Sequence, residues 1–167
     1  EKLEDGSWKA DFGKVISGWV RFEGVNVSKG DTIKVKLLSE YPSDRCEYIC
    51  AADGKVTTNP ELTWLVVREA VISGIGELEP SQIVAQAVKT NVKPNATFSC
   101  SNDLFCRIEK IWRQSQLDNM HAGVATDCPH RERLPYTGDG QIAMPMVLAN
   151  FDVAAFYNKW IGDVKAS

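Results

Sequence analysis

The feature that most restricts how this chain folds is a change in the spacing of its apolar residues after Ser99. Before that point, short segments alternate apolar and polar residues and are separated by glycine, asparagine, aspartate and proline. This pattern is typical of an antiparallel β-sandwich. After it, apolar residues recur every three or four positions, which indicates helices that bury one face. The spacing therefore predicts a two-part α+β chain, with a β-sandwich over residues 1–99 and a helical domain over residues 100–167.

The helical part contains three predicted helices, each preceded by residues that can cap it. A short polar side chain before a helix accepts a hydrogen bond from an amide that the first turn leaves free. The candidate caps are Ser101, Asn102 or Asp103 for the first helix, Thr137 or Asp139 for the second, and Asp152 for the third. The first helix should end near Asn119 and place Trp112 in a core. Three helices are too few to complete a helical domain, so we expect an internal piece of a larger protein.

The composition argues against some classes of partner. With 44% hydrophobic residues, 25% charged residues and a formal net charge of -3, the chain is similar to ordinary globular proteins. This balance offers no basic surface for nucleic acid or an anionic membrane, and no apolar run is long enough to cross a bilayer. We therefore expect neither a nucleic-acid nor a membrane partner. The first residues do not form a signal peptide, which leaves the compartment open between cytoplasm and periplasm.

The cysteines indicate a mostly reduced protein. Their number is odd and their spacings do not match a zinc site, the five being Cys46, Cys50, Cys100, Cys106 and Cys128. We expect unpaired thiols, although a Cys46–Cys50 or Cys100–Cys106 bridge stays open if the protein is exported. No cofactor or metal is expected.

Residues 126–141 form the segment richest in chemistry. Two prolines and two glycines make it a poor helix or strand, and a loop on a scaffold often carries function. Its three carboxylates are Asp127, Glu132 and Asp139. Crowded carboxylates raise one another's pKa, so one of them could stay protonated near neutral pH and act as a general acid. Arg131 or Arg133 could pair with Asp127 or Asp139 and fix the loop.

Three alternatives to a carboxylate site stay open at this point. The segment could be a solvated, charged turn. A metal site could form from Cys128, His130 and His121, although this spacing matches no familiar motif. Cys128 and His130 could form a nucleophilic pair, although residues two apart rarely share geometry with a third orienting group.

The same segment resembles the signature of the bacterial α-L-rhamnosidases of glycoside hydrolase family 78. That signature reads roughly Asp-Cys-Pro-x-Arg-(Asp)-Glu-Arg-Leu-x-Trp-x-Gly-Asp-x-Gln, and this chain has Asp-Cys-Pro-His-Arg-Glu-Arg-Leu-Pro-Tyr-Thr-Gly-Asp-Gly-Gln over residues 127–141. Residues 11–20, 98–102 and 150–160 also resemble family motifs, in the same order. The resemblance implies a β-sandwich followed by the first helices of an (α/α)6 barrel, left incomplete here. It also implies hydrolysis of terminal α-L-rhamnosides with inversion.

The resemblance also implies roles for individual residues. Glu132 corresponds to the general acid that protonates the leaving oxygen. Asp127 and Asp139 correspond to residues that bind the rhamnose hydroxyls, and Arg131 lies in the same motif. Tyr136 stands where the family usually has Trp, and a tyrosine ring can still stack on a sugar face. The implied partner is a rhamnose-containing oligosaccharide or glycoside.

The resemblance further implies that the reaction needs a residue from outside this chain. An inverting glycosidase needs a second carboxylate as a base, about 6.5–9.5 Å from the acid. In the family that base comes from later in the barrel, and no part of this sequence resembles that region. We therefore expect the isolated chain to be inactive.

Two other functions stay open. The β-sandwich could be a carbohydrate-binding module on a helical stalk, with Trp8 or Trp19 stacking on sugars, although aromatic residues in strands usually pack in a core. A related six-hairpin glycosidase could instead act on another sugar. Exposed apolar residues could also drive homo-oligomer formation, and the candidates are Met144, Met146 and Phe156.

Overall fold

The computed structural model describes residues 1–38 and 45–167. Its contacts divide the chain into two compact units, Glu1–Val88 and Lys89–Ser167. Within the described ranges, no helix is both long enough and apolar enough to cross a membrane.

In its described residues, the first unit contains six strands. They are β1 (Trp8–Val27), β2 (Thr32–Leu37), β3 (Arg45–Ile49), β4 (Gly54–Thr58), β5 (Leu65–Ser73) and β6 (Ile83–Ala87), with a 3-10 turn at Pro80–Gln82. All their pairings are antiparallel. The predicted α+β organisation is confirmed, and its β part takes the form of one curled, hydrogen-bonded sheet.

The sheet is organised around the 20-residue strand β1. Strand β5 pairs with the first half of β1 and β4 with its second half, while β6 pairs with its middle. Gly18 therefore lies opposite both Leu65 and Ala87. The register shifts between Asp11 and Ile16 and again between Phe22 and Val25. Such irregularities bend a strand and increase its twist, which accounts for the curl.

Alternating side chains supply the core of this unit. In β2, Ile33, Val35 and Leu37 are buried while Lys34 and Lys36 are exposed, as the period of two in a strand requires. The remaining large core residues come mainly from β1 and β5, and they include Ile16, Val20, Phe22, Val25, Leu65, Val67 and Ile72. One curled sheet thereby encloses one hydrophobic cluster.

The second unit contains three helices and short strands. Its elements are β7 (Lys93–Pro94), α1 (Asp103–Asp118), β8 (Met120–His121), β9 (Val124–Ala125), α2 (Thr137–Asn150), β10 (Phe151–Asp152) and α3 (Ala154–Ala166). Asn102 caps α1, since its side-chain Oδ1 accepts the Leu104 N–H at 2.9 Å. Asn119 ends this helix. Both observations confirm the sequence prediction for α1.

The predicted caps of the other two helices are wrong. Tyr136 precedes α2 and Val153 precedes α3, and neither helix has a side-chain cap among the described residues. Thr137 and Asp139 already lie inside the first turn of α2. Asp152 belongs to β10, where it pairs with Lys93 and is one residue too early to cap α3.

The core of the second unit lies between the helices and the short strands. Its buried members are Met120, Ala125, Val147, Phe151, Val153, Phe156, Tyr157 and Trp160. Trp112 packs against this cluster and stacks on Phe151 with ring centroids 6.3 Å apart, as expected for a core residue. Phe156 is therefore not the exposed apolar residue that the sequence suggested, although Met146 is 54% exposed.

Residues 89–99 lie with the helical unit, whereas the sequence assigns them to the β part. The Thr90 N–H donates to the Met120 carbonyl at 2.6 Å, and the Asn95 N–H donates to the Asn150 carbonyl at 2.9 Å. Arg113 donates from Nη2 to the Ala96 carbonyl at 2.9 Å. These hydrogen bonds attach residues 89–99 to the helical unit. The segment is extended, so its sequence lacks the helical spacing that would have assigned it to that unit.

Close packing between Gly140 and Trp160 holds the start of α2 against α3. Gly140 is buried, and a Cβ atom at this position would overlap the Trp160 ring. The ring is itself only 4% exposed, so it has little room to move aside. Gly138 lies in the same turn, and a Cβ atom there would meet no atom within 4 Å.

We predict that Gly140→Ala lowers the free energy of unfolding of the chain by about 1–3 kcal/mol, the usual cost of overpacking a core. Gly138→Ala is the matched control, and it should be neutral or raise stability by about 0.5–1 kcal/mol because alanine favours a helix. Urea unfolding followed by tryptophan fluorescence measures both changes. Equal effects of the two substitutions would contradict the packing described.

Candidate active site

The charged segment 126–136 connects β9 to α2 as an irregular loop fixed at both ends. At its start, the Thr126 N–H donates to the Asn119 carbonyl at 2.8 Å, which ties the loop to the end of α1. At its end, Tyr136 precedes the first turn of α2, and its carbonyl accepts the Gly140 N–H at 3.4 Å. Both ends of the loop are therefore attached to helices of the second unit.

Two hydrogen bonds between Asp127 and Leu134 close the loop on itself. The Asp127 N–H donates to the Leu134 carbonyl, and the Leu134 N–H donates to Asp127 Oδ1, both at 3.0 Å. Arg133 adopts a left-handed backbone conformation with φ of 56°, which turns the chain back towards Asp127. The six intervening positions are thus held in a compact turn, which is not the behaviour of a freely solvated charged loop.

Asp127 is held in its ionised form by donors. The Cys128 thiol donates to its Oδ2 at 3.2 Å, and the Leu134 N–H occupies Oδ1. Partial burial alone would raise the pKa of the Asp127 carboxyl, but hydrogen bonds from Cys128, Leu134 and Glu132 together lower that pKa below its usual value. The expected crowding of carboxylates is therefore resolved in favour of an ionised Asp127.

Glu132 lies between Asp127 and Tyr136. It shares a side-chain hydrogen bond with Asp127. The Glu132 carboxylate is also the largest of the causes that raise the pKa of Tyr136, followed by loss of solvent and the charge of Asp127. Tyr136 is 47% exposed, so its ring is available to a ligand. The fold thus brings together three of the residues that the sequence marked as site candidates.

Arg131 pairs with Glu132, a partner that the sequence analysis did not name. Its Nε lies 3.4 Å from Glu132 Oε1, and both side chains are substantially exposed. The charge of Arg131 also lowers the pKa of Tyr136 against the effect of Glu132. An exposed pair of this kind contributes little to stability. Its main effect is to place a positive charge beside Glu132.

Asp139 stands apart from this cluster. It lies exposed in the first turn of α2, three positions after Tyr136, where the helix N-terminus favours a negative charge. Within the described parts of the chain, no hydrogen bond or ion pair joins it to Asp127 or Glu132.

The sequence left open a metal site and a cysteine–histidine pair. Among the described residues, no three histidine, cysteine, aspartate or glutamate side chains are grouped to hold a metal ion. His121 is buried, and its Nε2 lies 2.7 Å from the Asp118 carbonyl. The Cys128 thiol donates to the Asp127 carboxylate. This hydrogen bond is the role that sequence reasoning missed, since the sequence suggested Cys128 as a metal ligand, a nucleophile or an unpaired thiol.

One protein family matches most of the second unit. Residues 93–167 match the model of the bacterial alpha-L-rhamnosidase 6 hairpin glycosidase domain. Over these residues, the chain belongs to the bacterial α-L-rhamnosidase family. The matched range contains the whole loop and all three helices of the second unit.

Two α-L-rhamnosidases of Formosa agariphila are similar in sequence. One is 32% identical over 98% of this chain, and the other is 26% identical over 86% of it. The matched parts make up 19% and 17% of those proteins, so the chain spans about a fifth of the length of its curated relatives.

Solved rhamnosidase structures share the fold. The α-L-rhamnosidase from Dictyoglumus thermophilum superposes with a TM-score of 0.85 and 27% identity, over 97% of this chain and 20% of that chain. The α-L-rhamnosidase from Streptomyces avermitilis, solved in complex with L-rhamnose, has a TM-score of 0.82 and 22% identity, over 98% of this chain and 17% of that one. The second likeness concerns the fold alone.

We predict that Cys128→Ala raises the pKa of Asp127 towards its ordinary value, because the substitution removes one of the donors that stabilise the carboxylate. Cys128→Ser is the matched control and should keep the pKa low, since a hydroxyl also donates. NMR titration of the aspartate carboxyl carbons, assigned with Asp127→Asn, measures both values. An unchanged pKa in Cys128→Ala would show that the thiol has no such effect.

The same shift has a consequence for stability with a definite sign. Because the folded-state pKa of Asp127 lies below its unfolded value, its hydrogen bonds add stability above the unfolded pKa. This contribution is lost as the pH falls through the folded-state pKa. We therefore expect Cys128→Ala to be less stable than Cys128→Ser at neutral pH and the difference to vanish in strong acid. Urea unfolding at pH 7 and at a series of lower pH values measures how the difference changes.

Proposed function

We propose that the protein containing this chain is a glycoside hydrolase that releases terminal α-L-rhamnose with inversion, and that Glu132 is its general acid. The observation that carries the proposal is the cluster of Asp127, Glu132 and Tyr136 on one closed loop within the family-matched range. The α-L-rhamnosidase names of the relatives supply the substrate class.

The hydrogen bond between the two carboxyl groups supports the choice of acid. Two carboxyl groups can share a hydrogen bond only when one of them carries a proton. Asp127 already accepts from the Cys128 thiol and the Leu134 N–H, and these donors favour its ionised form. Glu132 is the member of this pair whose side chain is substantially exposed, so it is the one placed to give a proton to a glycosidic oxygen.

Arg131 supports the second half of that proton transfer. Once Glu132 has given up its proton, it becomes an anion beside the anion of Asp127, and this repulsion opposes the transfer. The Arg131 Nε lies 3.4 Å from Glu132 Oε1 and offsets part of that repulsion. Glu132 can therefore change its charge without being forced away from the loop.

The remaining candidates suit binding of the sugar. Asp127 offers a carboxylate acceptor whose position the closed loop fixes. Asp139 is exposed and ionisable at a helix N-terminus, and Tyr136 offers a ring face next to the acid. We assign these residues to holding the rhamnose ring, with the general base supplied from outside this chain.

The alternative of a carbohydrate-binding module has weaker support. Trp8 packs against the core of the first unit, and its ring is covered by Lys2 Nζ at 5.1 Å. Trp19 is partly buried and donates from Nε1 to the Thr63 carbonyl. Both rings are thus engaged within their own unit, which favours a structural role over sugar stacking.

We predict that Glu132→Gln in the full-length parent lowers kcat/KM for an aryl rhamnoside with a poor leaving group by about 10²–10⁴-fold, the usual contribution of general acid catalysis. For dinitrophenyl rhamnoside the loss should be much smaller, because that leaving group departs without a proton. Initial rates with both substrates give the two ratios. The control is Glu77→Gln, which removes the same charge from an exposed side chain in the other unit.

The outcomes of this experiment separate the competing functions. Unreduced activity of Glu132→Gln on the poor leaving group would reject Glu132 as the acid. A parent that hydrolyses other glycosides but not rhamnosides would instead support a related six-hairpin glycosidase with a different sugar. Sugar binding without turnover, abolished by substitution of Trp8 or Trp19, would support the binding module.

A further inference from the structure

Two thiols lie side by side where α1 begins. The Sγ atoms of Cys100 and Cys106 are 3.7 Å apart. Cys100 is exposed and Cys106 is partly buried, so a small molecule in solution can reach at least one of the two sulfurs. Neither residue belongs to the candidate active site.

The helix start explains why these two residues meet. Asn102 caps α1 through the Leu104 N–H, and the Asn102 carbonyl accepts the Cys106 N–H at 3.3 Å. Side chains of a helix lean towards its N-terminus, so Cys106 leans back over the capping residue. Cys100 precedes the cap, and its carbonyl lies 3.6 Å from the Cys106 Sγ. The cap thus brings together two sulfurs that are six positions apart in the chain.

The other bridge suggested by the sequence does not have this geometry. Cys46 lies in strand β3 (Arg45–Ile49), and Cys50 follows that strand directly. At about 3.3 Å per residue, an extended chain puts their Cα atoms roughly 13 Å apart. A disulfide requires Cα atoms within about 7 Å.

We propose that Cys100 and Cys106 form a reversible disulfide with low-molecular-weight disulfides, such as oxidised glutathione, as the oxidant. The thiolate of Cys100, the more exposed sulfur, attacks oxidised glutathione and releases one glutathione thiol. Cys106 then attacks the Cys100 sulfur of the mixed disulfide and releases the second glutathione. Two protein thiols are oxidised, one glutathione disulfide is reduced, and the two thiol protons end on the two glutathione molecules.

The disulfide closes a ring around the helix cap. The sulfurs must approach from 3.7 Å to the bonded distance of about 2.05 Å, a movement that side-chain rotation at an exposed site can supply. The ring encloses residues 101–105, including the capping Asn102 and the first turn of α1. The opposite end of α1 anchors the charged loop through Asn119 and Thr126. This inference is independent of the proposed function, since it requires no substrate.

The test is to equilibrate the reduced chain with glutathione mixtures of increasing oxidation and to measure its mass after acid quenching. We expect a loss of 2 Da without a lasting glutathione adduct. Cleavage before Asp103 separates the two cysteines, and the two fragments should stay joined until a reductant is added. Half-oxidation should need at least about tenfold less oxidised glutathione than half-modification of Cys100→Ser or Cys106→Ser, because the second attack is intramolecular.

The serine variants serve as controls for the disulfide. Cys46→Ser should still lose 2 Da and give joined fragments, whereas each of the two single variants should keep a glutathione adduct. Stable adducts on both Cys100 and Cys106 of the unmodified chain would overturn the proposal. So would separate fragments after cleavage before Asp103. The adduct measurement and the fragment measurement both use the unmodified chain, so the proposal stays testable even if a serine variant does not fold.

Discussion

The reciprocal pair of hydrogen bonds between Asp127 and Leu134 is the constraint on which the candidate site depends. The loop contains two prolines and belongs to no helix or strand, so its backbone has no regular hydrogen-bonding pattern. The Asp127–Leu134 pair closes it. Because one of its acceptors is a side-chain carboxylate, the closure also fixes the direction of that carboxylate. Loop shape and the position of one charge are therefore set by the same contact.

This constraint works because the helical unit holds the two ends of the loop. Asn119 receives Thr126 at the end of α1, and Trp160 packs directly on Gly140 in the first turn of α2. Because protein cores are close-packed, a buried ring in contact with a glycine leaves α2 little freedom to slide along α3. The charged residues are thus placed by apolar packing, even though none of them enters the core.

The sequence predicted the parts of this arrangement that follow from local patterns. Alternation and helical spacing identified the β part and the helices, and Asn102 was among the caps named for α1. Asp152 and Phe156 were assigned wrongly because strand pairing and core packing override a local signal. The contact of the Cys128 thiol with Asp127, and the packing of residues 89–99 on the helical unit, depend on tertiary geometry that no residue spacing encodes.

The electrostatics of the loop follow from its folding. The N–H of Leu134 that closes the loop, and the thiol of the residue next to Asp127, are the donors that lower the Asp127 pKa. Folding therefore creates an ionised carboxylate at a fixed place before any ligand arrives. Glu132 shares a hydrogen bond with that carboxylate and contacts Arg131 through its Oε1, so its two neighbours carry opposite charges. We propose Glu132 as the general acid because it is the exposed carboxyl group of this pair, with the Arg131 cation beside it.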